Sequence, residues 1–175
     1  DMSVDFQPVN IAVLTISDTR TPDDDRSGDL LAERIAEDGH VLASRMIVTD
    51  DVDRITARLQ DWIEDPQIDV IVTTGGTGLT GRDSTPEAFD RTVEKAIPGF
   101  GELFRQLSYE KIGTSTIQSR AVAGVAGGTY LFALPGSPSG CRDGWDDILR
   151  YQLDIRHRPC NFVEIMPRLT ESASR

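Results

Sequence analysis

The chain is poor in the residues that build metal clusters and redox pairs. It holds two cysteines, Cys141 and Cys160, and two histidines, His40 and His157, among 175 residues. No CxxC spacing occurs, so a structural zinc site is not expected and both cysteines read as small packed residues. Lysine is nearly absent and the formal net charge is −11. An acidic protein repels a phosphate backbone, which removes nucleic acid from the expected partners. Long apolar runs are missing too. No stretch reaches the roughly 18 apolar residues of a bilayer span, and no basic segment followed by an apolar one opens the sequence. A soluble, cytoplasmic protein with no membrane partner is therefore expected. Any anionic ligand must be held locally, by backbone N–H groups, an arginine or a metal ion.

What is present is an alternation of short aliphatic runs and amphipathic segments. "NIAVLTIS" (10–17), "VLASRMIVT" (41–49), "IDVIVTT" (68–74) and "TYLFALPG" (129–136) read as strands. Between the first two, Ser27 is placed to cap a helix carrying Leu30, Leu31 and Ile35 on one face and ending at Gly39. Val52, Ile55, Leu59, Trp62 and Ile63 share the face of a second helix that stops before Pro66. Phe89 and Val93 mark a third, "GFGELFRQLSYEKIG" a fourth, and Trp145, Ile148, Leu149 and Leu153 line the inner face of a last one. "STIQSRAVAGVAGG" is a small-residue segment suited to close packing. The pattern predicts a single three-layer α/β domain over 1–175, with a mostly parallel, mixed sheet and helices on both faces. Its core spans about 10–166, with flexible termini.

Chemistry concentrates in "VIVTTGGTGLTGRDSTPEAF" (70–89). In open α/β sheets ligands bind beyond the carboxyl ends of the strands, where this loop falls. Its glycines let backbone N–H groups approach an anion, and the following helix offers its positive end. Two phosphate motifs are near misses. Gly76, Gly78 and Gly81 fit G-x-G-x-x-G, but the loop follows the third strand and the next helix starts separately at Ser84 and Pro86. A nicotinamide-dependent oxidoreductase is thus the weaker reading. Arg82 and Asp83 stand where a P-loop needs Lys and Ser/Thr, which rejects a P-loop NTPase. An acidic Asp83 in an anion cradle points to a mediating cation, for which Mg²⁺ is suited, and Asp50 at the end of the preceding strand can supply a second carboxylate. As alternatives, Asp50 caps the next helix and Asp83 pairs with Arg82. Ser84 and Glu87 are spaced as a capping box.

"TTGGTGLTGRDSTPEA" resembles the signature of the molybdenum-cofactor biosynthesis family that includes MoaB, MogA and the G domains of gephyrin-type proteins. "LTISDTR", "DRSGDLLAERI", "GFGELFRQLSYEKIGTSTIQSRAVAG", "LPGSPSG" and "RPCNF" resemble it in the same order, from about Asn10 to Phe162, and the second half is most similar to the MoaB branch. The resemblance implies a homotrimer or hexamer that binds molybdopterin. In active members it implies Mg²⁺-dependent adenylylation of molybdopterin by ATP, with pyrophosphate released. A non-catalytic pterin-binding or scaffold protein is the alternative. Carried over by position, Gly75, Gly76, Thr77 and Gly78 hold phosphate, Asp50 and Asp83 serve metal-assisted transfer, and Arg82 offsets charge. Ser17, Asp18, Ser119, Gly136, Ser137 and Pro138 line the same pocket. Some MoaB members lack acidic residues matching Asp50 and Asp83; this chain keeps both. The oligomer contact is expected at Ala121 to Gly128 or its neighbouring helix.

Overall fold

In the computed structural model, which describes residues 4–172, the central strands divide their side chains between two hydrophobic layers. Part of the terminal sequence expected to be flexible lies outside these residues. β1 (Asn10–Ile16) sends Ile11 and Val13 to one face and Ala12, Leu14 and Ile16 to the other. β3 (Val70–Thr74) splits Val70 and Val72 from Ile71 in the same way. This is the period-two geometry of a strand, with apolar residues on both sides because both faces are covered. Helices α1 (Arg26–Glu37), α4 (Pro98–Ile112) and α5 (Pro138–Gly144) cover the first face through Leu31, Ile35, Phe100, Phe104 and Cys141. Helices α2 (Val52–Ile63) and α3 (Thr85–Thr92) cover the second through Ile55, Leu59, Trp62 and Phe89.

With β2 (Val41–Val48), β4 (Lys95–Ala96), β5 (Val122–Ala126) and β6 (Thr129–Leu134), the sheet has the order β2-β1-β3-β6-β5-β4. The four strands β2, β1, β3 and β6 are parallel, and β5 is antiparallel to both its neighbours. The chain leaves β1 outward to β2, then returns past it to β3. That reversal opens a crevice at the carboxyl ends of β1 and β3.

Several local expectations are corrected. Helix α1 is capped by Asp25, whose carboxylate accepts from Gly28 N, while Ser27 lies inside the helix and donates to Gly136 O. Ser84 makes no side-chain cap bond, and Glu87 pairs with Arg120 instead of closing a capping box. The small-residue segment forms β5 and its hairpin to β6, with Ala121, Ala123 and Ala126 buried within the chain. Past α5 the last helix continues as a π turn, Trp145–Leu149, and a final turn, Arg150–Gln152, with Trp145, Ile148, Leu149 and Leu153 inward as expected. Among the described residues no helix is long and apolar enough to cross a membrane.

Candidate active site

The crevice is shaped by two left-handed glycines at the end of β3. Gly75 has φ +108° and Gly76 φ +70°. A Cβ on Gly75 would overlap the carbonyl of Ile16, and one on Gly76 would overlap Thr85 Oγ1 and stand 3.0 Å from Asp50 Oδ2. Glycine is required here by backbone conformation and by the closeness of neighbouring strand ends. Thr85 then locks the turn, donating its hydroxyl to Gly75 O at 2.8 Å and its amide to Gly76 O at 3.0 Å.

Three carboxylates converge from the ends of three strands. Asp18 follows β1, Asp50 follows β2, and Asp83 closes the loop after β3. Because β1 lies between β2 and β3, Asp50 and Asp83 follow strands that are consecutive in sequence but not adjacent in the sheet. Asp50 is buried, accepts Ser84 N on Oδ1 at 2.9 Å and donates its own amide to Asp18 Oδ1 at 2.9 Å. It is therefore not a helix cap; Asp51 caps α2. Burial pushes the Asp50 carboxyl above its ordinary range, the charges of Asp83 and Asp18 add to this, and hydrogen bonding to Ser84 opposes it. Asp83 accepts both Thr80 N and Thr80 Oγ1 on Oδ2, each at 2.9 Å. Its expected partner Arg82 reaches Asp18 instead, through Nε at 3.0 Å and Nη2 at 2.8 Å. That bidentate pair, with the Asp50 amide, holds the Asp18 carboxyl below its ordinary value.

Two hollows meet across this loop. The first, of about 690 Å³, is lined by Ser17, Asp18, Asp50, Gly75, Gly76, Arg82, Asp83, Gly136 and Pro138 among others. The second, of about 420 Å³, is lined by Gly76, Thr77, Gly78, Asp83, Ser119, Gly136 and Ser137, with Phe104 and Ile112 as apolar walls. The expected single pocket is thus divided, with Gly76, Asp83 and Gly136 common to both parts. Sequence reasoning missed Arg20, Asp25 and Arg26 in the first hollow. Asp25 is buried, bonded to Thr15 Oγ1 at 2.7 Å and paired with Arg45, so it ties the β1–α1 loop to the sheet. The acidic run "PDDDR" offered no sign of which aspartate turns inward. Among the described residues no three His, Cys, Asp or Glu side chains surround a metal position. With Asp18 engaged by Arg82, Asp50 and Asp83 on the first hollow would suit Mg²⁺, which binds through one or two carboxylates together with substrate phosphate and water.

The family described as "Probable molybdopterin binding domain" matches residues 12–155. The chain belongs to the MoaB/MogA family of molybdenum cofactor biosynthesis proteins. It is 48% identical over 161 residues to molybdenum cofactor biosynthesis protein B of Escherichia coli (strain K12), covering 92% of this chain and 95% of that one. A crystal structure of a molybdenum cofactor biosynthesis protein B superposes with TM-score 0.85 at 38% identity, covering 95% and 98% of the two chains. The tungsten cofactor synthesizing protein MoaB from Pyrococcus furiosus gives TM-score 0.73 at 35% identity, covering 82% and 91%. The MoaB/MogA fold is therefore a property of this chain, with the two hollows at its crevice.

Proposed function

We propose that this MoaB/MogA protein adenylylates molybdopterin with ATP. The terminal phosphate oxygen of molybdopterin forms a bond to the α-phosphorus of ATP. The bond from that phosphorus to the β-phosphate breaks, and pyrophosphate leaves with the electron pair. The observation that supports this reading is the pair of hollows sharing Gly76, Asp83 and Gly136, since two substrates seated on either side would meet there. Arg20, Arg26 and Arg82 stand on the first hollow among Asp18, Asp24, Asp25, Asp50 and Asp83, which suits it to a triphosphate that arrives with Mg²⁺, while Phe104, Ile112 and the hydroxyls of Ser119 and Ser137 suit the second to a flat hydrogen-bonding ring. Mg²⁺ held by Asp50 and Asp83 would supply positive charge between two polyanions. The glycine loop orients phosphate through backbone N–H groups, and Arg82 can exchange Asp18 for phosphate because it is 66% exposed. No general base is required, because a phosphate nucleophile is already ionised near neutral pH.

The deciding experiment measures pyrophosphate release from ATP with and without molybdopterin. Release that requires both molybdopterin and Mg²⁺ supports the proposal. Molybdopterin binding without release would leave a pterin-binding scaffold as the function.

We further propose a homo-oligomer, with trimer as the first expectation. Of the two expected contacts, Ala121–Gly128 and its neighbouring helix, the exposure of Tyr109, Ile112 and Ile117 on α4 and the turn after it favours the second.

A further inference from the structure

Asp83 lies at the end of loop 78–83, which folds back so that Asp83 N donates to Thr80 O at 3.0 Å while Thr80 donates to the Asp83 carboxylate. Arg120, just ahead of β5 and far away in sequence, grips both ends of this loop. Its Nε donates to Gly78 O at 2.8 Å and its Nη2 to Asp83 O at 3.1 Å, while its main-chain N donates to Thr77 O at 2.9 Å. Glu87, on the first turn of α3, accepts from Nη1 and Nη2 and braces the guanidinium. Gly78 is drawn so close to the Asp83 carboxylate that a Cβ there would stand 2.6 Å from Oδ2.

We infer that Arg120 is the positioning residue for Asp83, closing loop 78–83 with one guanidinium and setting where the carboxylate is presented between the two hollows. The role of Asp83 toward Mg²⁺ rests on the adenylylation reading; the closure of the loop does not. Only a planar fork with several fixed N–H donors can hold two carbonyls and a carboxylate at once. Lysine keeps the charge and loses the fork. Arg120 does not line either of the two hollows, so its effect on chemistry passes through Asp83.

The test compares Arg120→Lys and Glu87→Gln with the unaltered protein by amide hydrogen exchange without ligand and by the Mg²⁺ concentration giving half-maximal pyrophosphate release. Losing one or two hydrogen bonds should speed exchange at the Thr80 and Asp83 amides about tenfold, with β3 and β6 amides unchanged. Half-saturating Mg²⁺ should rise about tenfold in Arg120→Lys, with the maximal rate partly restored at high Mg²⁺. Glu87→Gln should shift both in the same direction by less, and it remains informative if Arg120→Lys folds poorly. Unchanged exchange in the loop overturns the inference, as does faster exchange with unchanged Mg²⁺ dependence. If the unaltered protein releases no pyrophosphate, the adenylylation reading falls, and the exchange data alone then decide whether Arg120 closes the loop.

Discussion

Replacing Asp50 with Asn separates its chemical role from its structural one. The amide keeps the acceptor for Ser84 N, now at 2.9 Å from Oδ1, and occupies nearly the same volume. A hydrogen bond to a charged acceptor is stronger than one to a neutral acceptor by about 1 kcal/mol, and that increment is lost. Against it, the substitution removes a negative charge that is 7% exposed and repelled by Asp83 and Asp18. The folded protein raises the Asp50 pKa, so the charged form is on balance disfavoured by folding, and stability at pH 7 should stay level or rise. One kcal/mol corresponds to about 2–4 °C in Tm for a chain of this size. Asp50→Asn is thus expected to melt between the unaltered value and about 4 °C above it at pH 7. The folded state binds more protons here than the unfolded chain, so the cost of the charge is fully present above the folded pKa. It fades as pH falls toward the ordinary value of 3.8, and the Tm difference should shrink with it. Molybdopterin-dependent pyrophosphate release should drop by about 100-fold or more. Melting curves at pH 7 and 4.5 and turnover per folded molecule check this. A Tm lowered by more than about 4 °C with turnover intact would refute the reasoning and make Asp50 a structural residue.

Other outcomes follow from the same geometry. Gly76→Ala should lose about 2–4 kcal/mol from left-handed strain and the displaced Thr85 hydroxyl, read by urea melts. Gly78→Ala, which has no such strain but pushes on Asp83, should lower turnover more than stability. His40 accepts Val9 N at 3.1 Å, and burial lowers its pKa, partly offset by Asp38 and Asp154. The unfolded chain then binds the extra proton first, so stability should fall as pH drops below 6.5, and His40→Asn should flatten that part of the Tm profile. Ile112→Glu with Ile117→Glu should shift the mass seen by light scattering toward the 19.2 kDa monomer if the α4 face is the oligomer contact.

All four parallel strands, the apolar faces of the helices and the glycine loop at the end of β3 were legible in the sequence, because each is encoded within a few residues. Period-two and helical spacing report burial directly, and consecutive glycines report a turn that other residues cannot make. Partner choice was not legible. Arg82 passes over adjacent Asp83 for Asp18, and Glu87 leaves its capping position for Arg120, since the sheet brings stronger bidentate partners within reach. Ser27 yielded the cap of α1 to Asp25 for a similar reason, as Thr15 and Arg45 hold that carboxylate at the helix start. Asp18 was already expected in the pocket through the family resemblance, but the order β2-β1-β3, which sets the end of β1 between those of β2 and β3, decided that Arg82 pairs with it. Strand order depends on how helices pack over the whole sheet, and no local window carries it. Local chemistry thus pointed to the strand ends where a ligand is proposed to bind, while the tertiary fold decided which charged side chains line the hollows there and which arginine pairs with each.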